Sequence, residues 1–194
     1  MNLAVSLPSS SRPHFIETDR LVLSRPHPAD AERIASLCND RALAENMTVM
    51  PHPYTTDDAR EWLETVRSRD EDALVYGIHL NIPERVLIGV ISVERKAPDQ
   101  DPELGYWLGQ GYRGRGFTTE AARAILRQAF QSGRYAAVAS SCRLTNIPSR
   151  RILEKCGFSY QGLGRRHIRA LGHDEPVDLF RLSREQWQRR QRAH

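Results

Sequence analysis

Arg113-Gly114-Arg115-Gly116-Phe117-Thr118 stand between an apolar strand pattern, Leu104 to Leu108, and an Ala-rich helical pattern, Thr119 to Phe130. Two glycines two positions apart remove the Cβ groups that would hold a phosphate off the backbone. The first helical turn after them carries amides with no intrahelical acceptor, and these point at the same space. The turn is an anion site by composition, and a phosphorylated ligand is expected there. A Walker-type loop would need Lys and then Ser or Thr after its last glycine, whereas Gly116 is followed by Phe117 and Thr118. A dinucleotide fingerprint would need a third Gly or Ala at position 119, which is Thr119.

The spacing Arg113-x-x-Gly116-x-Thr118 resembles the acyl-CoA pyrophosphate loop of the GNAT N-acetyltransferase superfamily, with Thr118 at a position that the family fills with Gly or Ala. Four further segments are similar to the RimJ/RimL-like branch of that superfamily. Glu17 to Arg25 resembles its opening strand, Thr56 to Leu63 its second helix, and Glu103 to Leu108 its central strand. Asn146-x-x-Ser149-x-Arg151-x-x-Glu154-Lys155-x-Gly157-Phe158 resembles its fourth-helix signature. The resemblance runs from about Glu17 to Trp187. It implies a single-domain α/β (α+β) GNAT fold: a mixed, mostly antiparallel sheet of about six to seven strands, flanked by about four helices and splayed between the fourth and fifth strands. Residues 14–188 would form this domain, after a flexible leader at 1–13 and before a basic tail at 189–194.

The same resemblance implies acetyl-CoA as cofactor and a primary amine as acceptor, with a protein N-terminus favoured. Alternatives are a small amine such as an aminoglycoside, polyamine or amino-acid derivative, or a non-catalytic acyl-CoA sensor. Acetyl transfer needs a neutral nucleophile, a donor for the developing oxyanion and help for the leaving thiolate. An α-amine, with a pKa of about 7.7 to 8.0, asks less of a base than a lysine at about 10.4. Arg113, Gly114, Arg115, Gly116, Phe117, Thr118 and Thr119 would grip the pyrophosphate. The Leu108 amide would meet the oxyanion where the family's central strand bulges and splays; read alone, Leu108-Gly109 is an ordinary strand end. Asn146 would hold the pantetheine amides, or else be a turn residue ahead of Pro148. Ser149 would present its hydroxyl to the sulfur, or else cap the helix beginning at Arg150. Glu103 shares a strand face with Gly105 and Trp107 and is a candidate base. Beside Asp99 and Asp101 it also reads as part of an exposed acidic loop.

The elements that must position these groups follow from periodicity. Leu21 to Leu23 reads as a strand, and Pro28-Ala29-Asp30 opens a helix to about Asn39. Thr56-Asp57-Asp58 caps a second helix whose stripe, Ala59, Trp62, Leu63 and Val66, demands a sheet to bury it. Strands are expected at Leu74 to Leu80, Val86 to Glu94 and Leu104 to Leu108, joined by short polar links that favour antiparallel neighbours. After the glycine turn the expected order is helix (to Gln131), strand (Tyr135 to Ser141), helix (Ser149 to Cys156) and two strands (Ser159 to Ala170, Pro176 to Leu182). This alternation implies local parallel pairing through a crossover.

At 194 residues the chain suits one domain, and its 40% hydrophobic and 27% charged content is ordinary for a soluble protein. The segment Met1 to Pro13 lacks the apolar run of a secretory signal, so a cytoplasmic protein without a membrane partner is expected. Cys38, Cys142 and Cys156 have no paired spacing and read as buried thiols. The seven histidines show no ligand spacing, which leaves metal catalysis without support. The net charge of +4 gathers near Arg113 to Arg123 and in Arg184 to Arg192, without the interleaved aromatics of a nucleic-acid binder. The second run reads as a solvated helix face, and a homodimer is the default assembly.

Overall fold

A computed structural model describes residues 15–68 and 73–192. The leader expected at 1–13 lies outside them. Eight strands form one sheet: β1 (Phe15–Glu17), β2 (Leu21–Ser24), β3 (Leu74–Leu80), β4 (Leu87–Glu94), β5 (Glu103–Leu108), β6 (Ala137–Arg143), β7 (Ser159–Ile168) and β8 (His173–Ser183). Their order is β1-β2-β3-β4-β5-β6-β8-β7, antiparallel throughout except at β5–β6. Six helices cover it: α1 (Ala31–Cys38), α2 (Arg41–Ala44), α3 (Thr56–Ser68), α4 (Phe117–Gln131), α5 (Ile147–Cys156) and α6 (Arg184–Arg192).

The strand and helix counts exceed expectation by short elements. β1 has only three residues, too few to show alternation, and is held by its ladder to β2. α2 is a single turn whose N-cap, Asp40, accepts from the Leu43 amide. α6 is the basic run itself, with no buried residue. Pro28–Asp30 is a 3-10 turn ahead of α1 rather than its first turn. Thr55, not Thr56, caps α3: its Oγ1 accepts from the Asp58 amide at 3.2 Å while Asp58 accepts the Thr55 amide at 2.8 Å. Such a reciprocal box is worth about 1 kcal/mol.

The sheet is buried on both faces, which is why β3 and β4 show almost no polar alternation. One face packs Leu104, Leu108 and Phe180 against Phe117 and Ile125 of α4 and Leu153 of α5. The other packs Val75, Val90 and Trp107 against Ile34, Ala59, Leu63 and Val66 of α1 and α3. All three cysteines are buried free thiols, as expected. Among the described residues no helix is long and apolar enough to cross a membrane.

The site is positioned by the parallel junction. β5 and β6 pair at one register point, Glu103 with Ala139, where the Ala139 amide donates to the Pro102 carbonyl at 2.8 Å. Beyond it the strands part. The splay falls between the segments expected to open; β1 makes them fifth and sixth in chain order.

Candidate active site

Gly116 begins the site. Its φ of 82° lies in the left-handed region, and it is the N-cap of α4 without a side chain to cap anything. The helix therefore starts at Phe117, two residues earlier than the sequence pattern suggests. Glu120 donates its amide to the Gly116 carbonyl at 3.1 Å. The amides of Phe117, Thr118 and Thr119 precede that first helical bond and, among the described residues, have no acceptor. The Phe117 ring turns inward and is buried, so it does not cover them. Gly114, with φ of 75°, would place a Cβ in open space. Three adjacent donors at a helix start, with glycine in front of them, form a cradle that could hold a diphosphate.

Positive charge surrounds that cradle, and part of it comes from an unexpected place. Arg20, on the turn before β2, reaches 95 residues along the chain to donate from Nη1 to the Arg115 carbonyl at 3.0 Å. It also pairs with Glu120 at 2.7 Å and stacks 4.8 Å above the Phe117 ring; Arg115 stacks on the same ring at 5.1 Å. Thr18 completes the latch, its Oγ1 2.7 Å from Glu120. Burial pushes the Glu120 carboxyl up, but hydrogen bonds from Thr18 and Arg20 and the Arg20 charge outweigh it and hold the group below its usual range. Arg113 is drawn inward, with Nε 2.9 Å from the Leu108 carbonyl and Nη2 2.7 Å from Asp40.

The wedge supplies the second half of the site. On β5 the even-numbered residues turn their backbone groups toward β6: Pro102 bonds Ala139, and the Leu104 carbonyl accepts from Ser140 Oγ at 2.9 Å. Gly109 instead donates to Ile88 on β4 at 2.9 Å. By the same alternation the Leu108 amide faces the open wedge. The bulge expected at Leu108 is not in the β5 ladder, whose register with β4 runs unbroken from Glu94↔Glu103 to Gly89↔Leu108. It lies in β4, where the register with β3 slips between Ile78 and His79 and leaves Ile88 outside the pairing.

Across the wedge, α5 presents Asn146 and Ser149. Asn146 is the N-cap: its Oδ1 accepts the Ser149 amide at 3.2 Å, with Pro148 in the first turn. The capping role considered for Ser149 therefore belongs to Asn146, and the Ser149 hydroxyl is left for other partners. It lies 2.9 Å from the phenol oxygen of Tyr106. Burial pushes the Cys142 thiol up to about 11 even though the Ser149 hydroxyl pulls the other way, so the thiol stays neutral.

Glu103 sits at the closed end of the wedge on the Trp107 face, as alternation requires. Its carboxylate is not a solvated loop group: it pairs with Lys96 and, at 3.2 Å, with Arg166 of β7. Burial raises its pKa, yet the hydrogen bonds and charges of Lys96 and Arg166 prevail and keep it below the ordinary range. Sequence reasoning missed Tyr106, Arg20, Thr18, Glu120 and Asp40. Only Tyr106 carried a local signal, its parity with Leu104 and Leu108.

The sequence matches the acetyltransferase (GNAT) domain family over residues 20–159. It is 29% identical over 170 residues to a Bacillus subtilis (strain 168) protein provisionally named a ribosomal N-acetyltransferase, covering 83% of this chain and 90% of that one. Among solved structures, a microcin self-immunity acetyltransferase in complex with acetyl-CoA and AMP superposes with a TM-score of 0.74 at 21% identity, over 86% of this chain and 93% of that one. RimL, a ribosomal alpha-N-protein acetyltransferase in complex with coenzyme A, does so with 0.74 at 17%, over 87% and 97%. The family model covers most of the chain and the solved structures share its fold, so the chain belongs to the GNAT acetyltransferase family.

Proposed function

We propose that this enzyme transfers an acetyl group from acetyl-CoA to a protein N-terminal α-amine. The observation that carries the reading is the row of amides at Phe117, Thr118 and Thr119 that have no acceptor among the described residues, beside the wedge between β5 and β6. Those amides, with Gly114, Gly116 and the charges of Arg115 and Arg20, hold the diphosphate. Arg113 acts from behind the loop and fixes it to Leu108. When bound, the cofactor supplies an activated acyl carbonyl and a thiol leaving group.

Within the wedge the Leu108 amide donates to the oxygen that gains charge, the most effective place for a fixed dipole. Asn146 orients the pantetheine arm, and the Ser149 hydroxyl faces the sulfur. Glu103, clamped by two cations, is a weak base. That favours an acceptor already partly neutral at pH 7, which an α-amine is and a lysine is not. The reading places the enzyme in the cytoplasm beside its cofactor.

Thiol release from acetyl-CoA over a panel of peptides, small amines and N-blocked lysine peptides tests this. Turnover with free peptide N-termini is the expected result. Turnover confined to aminoglycosides or polyamines would replace the acceptor class, and tight coenzyme A binding without release would leave a sensor.

A further inference from the structure

Tyr106 stands on β5 two residues before Leu108, and its side chain reaches from that strand to the first turn of α5. The phenol oxygen lies 2.9 Å from Ser149 Oγ and 3.4 Å from the Ser149 carbonyl. We propose that Tyr106 is a positioning residue for acetyl transfer, donating its phenol proton to Ser149 Oγ so that the Ser149 proton is directed at the leaving sulfur. This rests on the acetyltransferase reading above and goes beyond it by assigning the group that orients Ser149.

Two hydroxyls share one short contact, so only one of them donates into it. Were Ser149 the donor, its proton would be spent and the phenol would have only the 3.4 Å carbonyl, a poor bond. With Tyr106 as donor both protons are used, one across the contact and one toward the cofactor sulfur, which as it gains charge is a stronger acceptor than the neutral Cys142 thiol that Ser149 also faces. Negative charge on the sulfur favours the second arrangement further.

The proton balance requires such a partner. As the C–S bond breaks, its electron pair stays on sulfur, which draws the Ser149 proton along the hydrogen bond. The amine nitrogen forms the C–N bond and gives up a proton, which returns to Ser149 through solvent; the products are an amide and a thiol. A serine left alone is a poor acid because the alkoxide charge has nowhere to go, and the Tyr106 O–H stabilises that charge by donating to the same oxygen. Burial raises the phenol pKa well above its ordinary value, so the donor is protonated when the acyl donor binds. Cys142 and Cys156, the thiols nearest the pair, are held neutral by burial, and Arg150 is paired with Asp178.

The test follows the thiol of bound coenzyme A by its ultraviolet thiolate absorbance, with desulfo-coenzyme A as the blank that cancels protein thiols. In the wild-type protein the bound thiol should ionise about tenfold more readily than in Ser149→Ala, as expected for one hydrogen bond. Tyr106→Phe, which keeps the ring, should lose most of that tenfold, and the double variant should match Ser149→Ala. With an accepted peptide, Tyr106→Phe should lower kcat about tenfold and leave the KM for acetyl-CoA within about twofold. A Tyr106→Phe thiol that ionises like wild type, or a Tyr106 effect that persists without Ser149, overturns the proposal. Wild-type protein that releases no thiol with any amine overturns the reading beneath it.

Discussion

The Arg113 guanidinium is bonded to the Leu108 carbonyl, Nε to O at 2.9 Å, and not directed at the cradle whose motif it opens. Its other arm holds Asp40, the N-cap of α2, at 2.7 Å. One side chain therefore joins the glycine turn, the end of the wedge strand and the short helix on the opposite face. Arg113→Ala should raise KM for acetyl-CoA about tenfold, and Lys should not restore it because an ammonium cannot make both bonds in that fork geometry. Steady-state kinetics of the Ala and Lys variants decide this; full activity of the Lys variant would refute it.

Gly114 and Gly116 separate backbone strain from ligand contact. Both have positive φ, so Ala at either should cost about 1 to 2 kcal/mol of stability. A Cβ at Gly116 would also lie 3.3 Å from an Arg20 nitrogen, whereas at Gly114 it would meet nothing within 4 Å. Gly114→Ala should lose coenzyme A affinity beyond its stability cost, since among the described residues nothing lies within 4 Å of its methyl and the ligand would meet it. Calorimetric titration beside thermal unfolding measures the two effects.

Ser149 depends on α5 being seated, and α5 is tied to β8 by Arg150, whose Nε lies 3.1 Å from the buried Asp178. Arg150→Ala leaves that carboxylate buried without its cation and should lower the unfolding midpoint, though less than for a fully buried pair because Arg150 is partly exposed. Adding Asp178→Asn should recover part of the loss. Urea unfolding of the two variants is the check.

Glu103 should contribute to stability and not to the working pH range. Its folded pKa is depressed, so its contribution is present above the ordinary glutamate value of about 4.3 and is lost as pH falls through the lower folded value. The stability gap between wild type and Glu103→Gln should be constant at neutral pH and close below about pH 4. The pH–rate profile of Glu103→Gln should keep its acidic limb; a displaced limb would make Glu103 the titrating base.

Much of the architecture was legible because it is local. The apolar runs at β3 to β5, the stripe on α3 and the paired glycines each declare themselves within a few residues. Gly116 in particular marked the tight turn, although α4 starts at Phe117, two residues before the expected Thr119. What stayed hidden depends on chain distance. Arg20 meets Arg115 and Glu120 only after the sheet forms, and Tyr106 meets Ser149 across 43 residues. Ser149 was visible as a cap candidate and Asn146 only as a turn residue, and the turn geometry gives the amide to the Asn146 oxygen. Glu103 looked like part of an acidic loop because Arg166, its partner from β7, is 63 residues away.

The central claim is that backbone amides at the start of α4 hold the diphosphate. Backbone amide NMR during titration with coenzyme A tests it most directly. The largest shifts, and the strongest slowing of hydrogen exchange, should fall on Phe117, Thr118 and Thr119. Saturable binding of coenzyme A that leaves those three amides unperturbed would contradict the account.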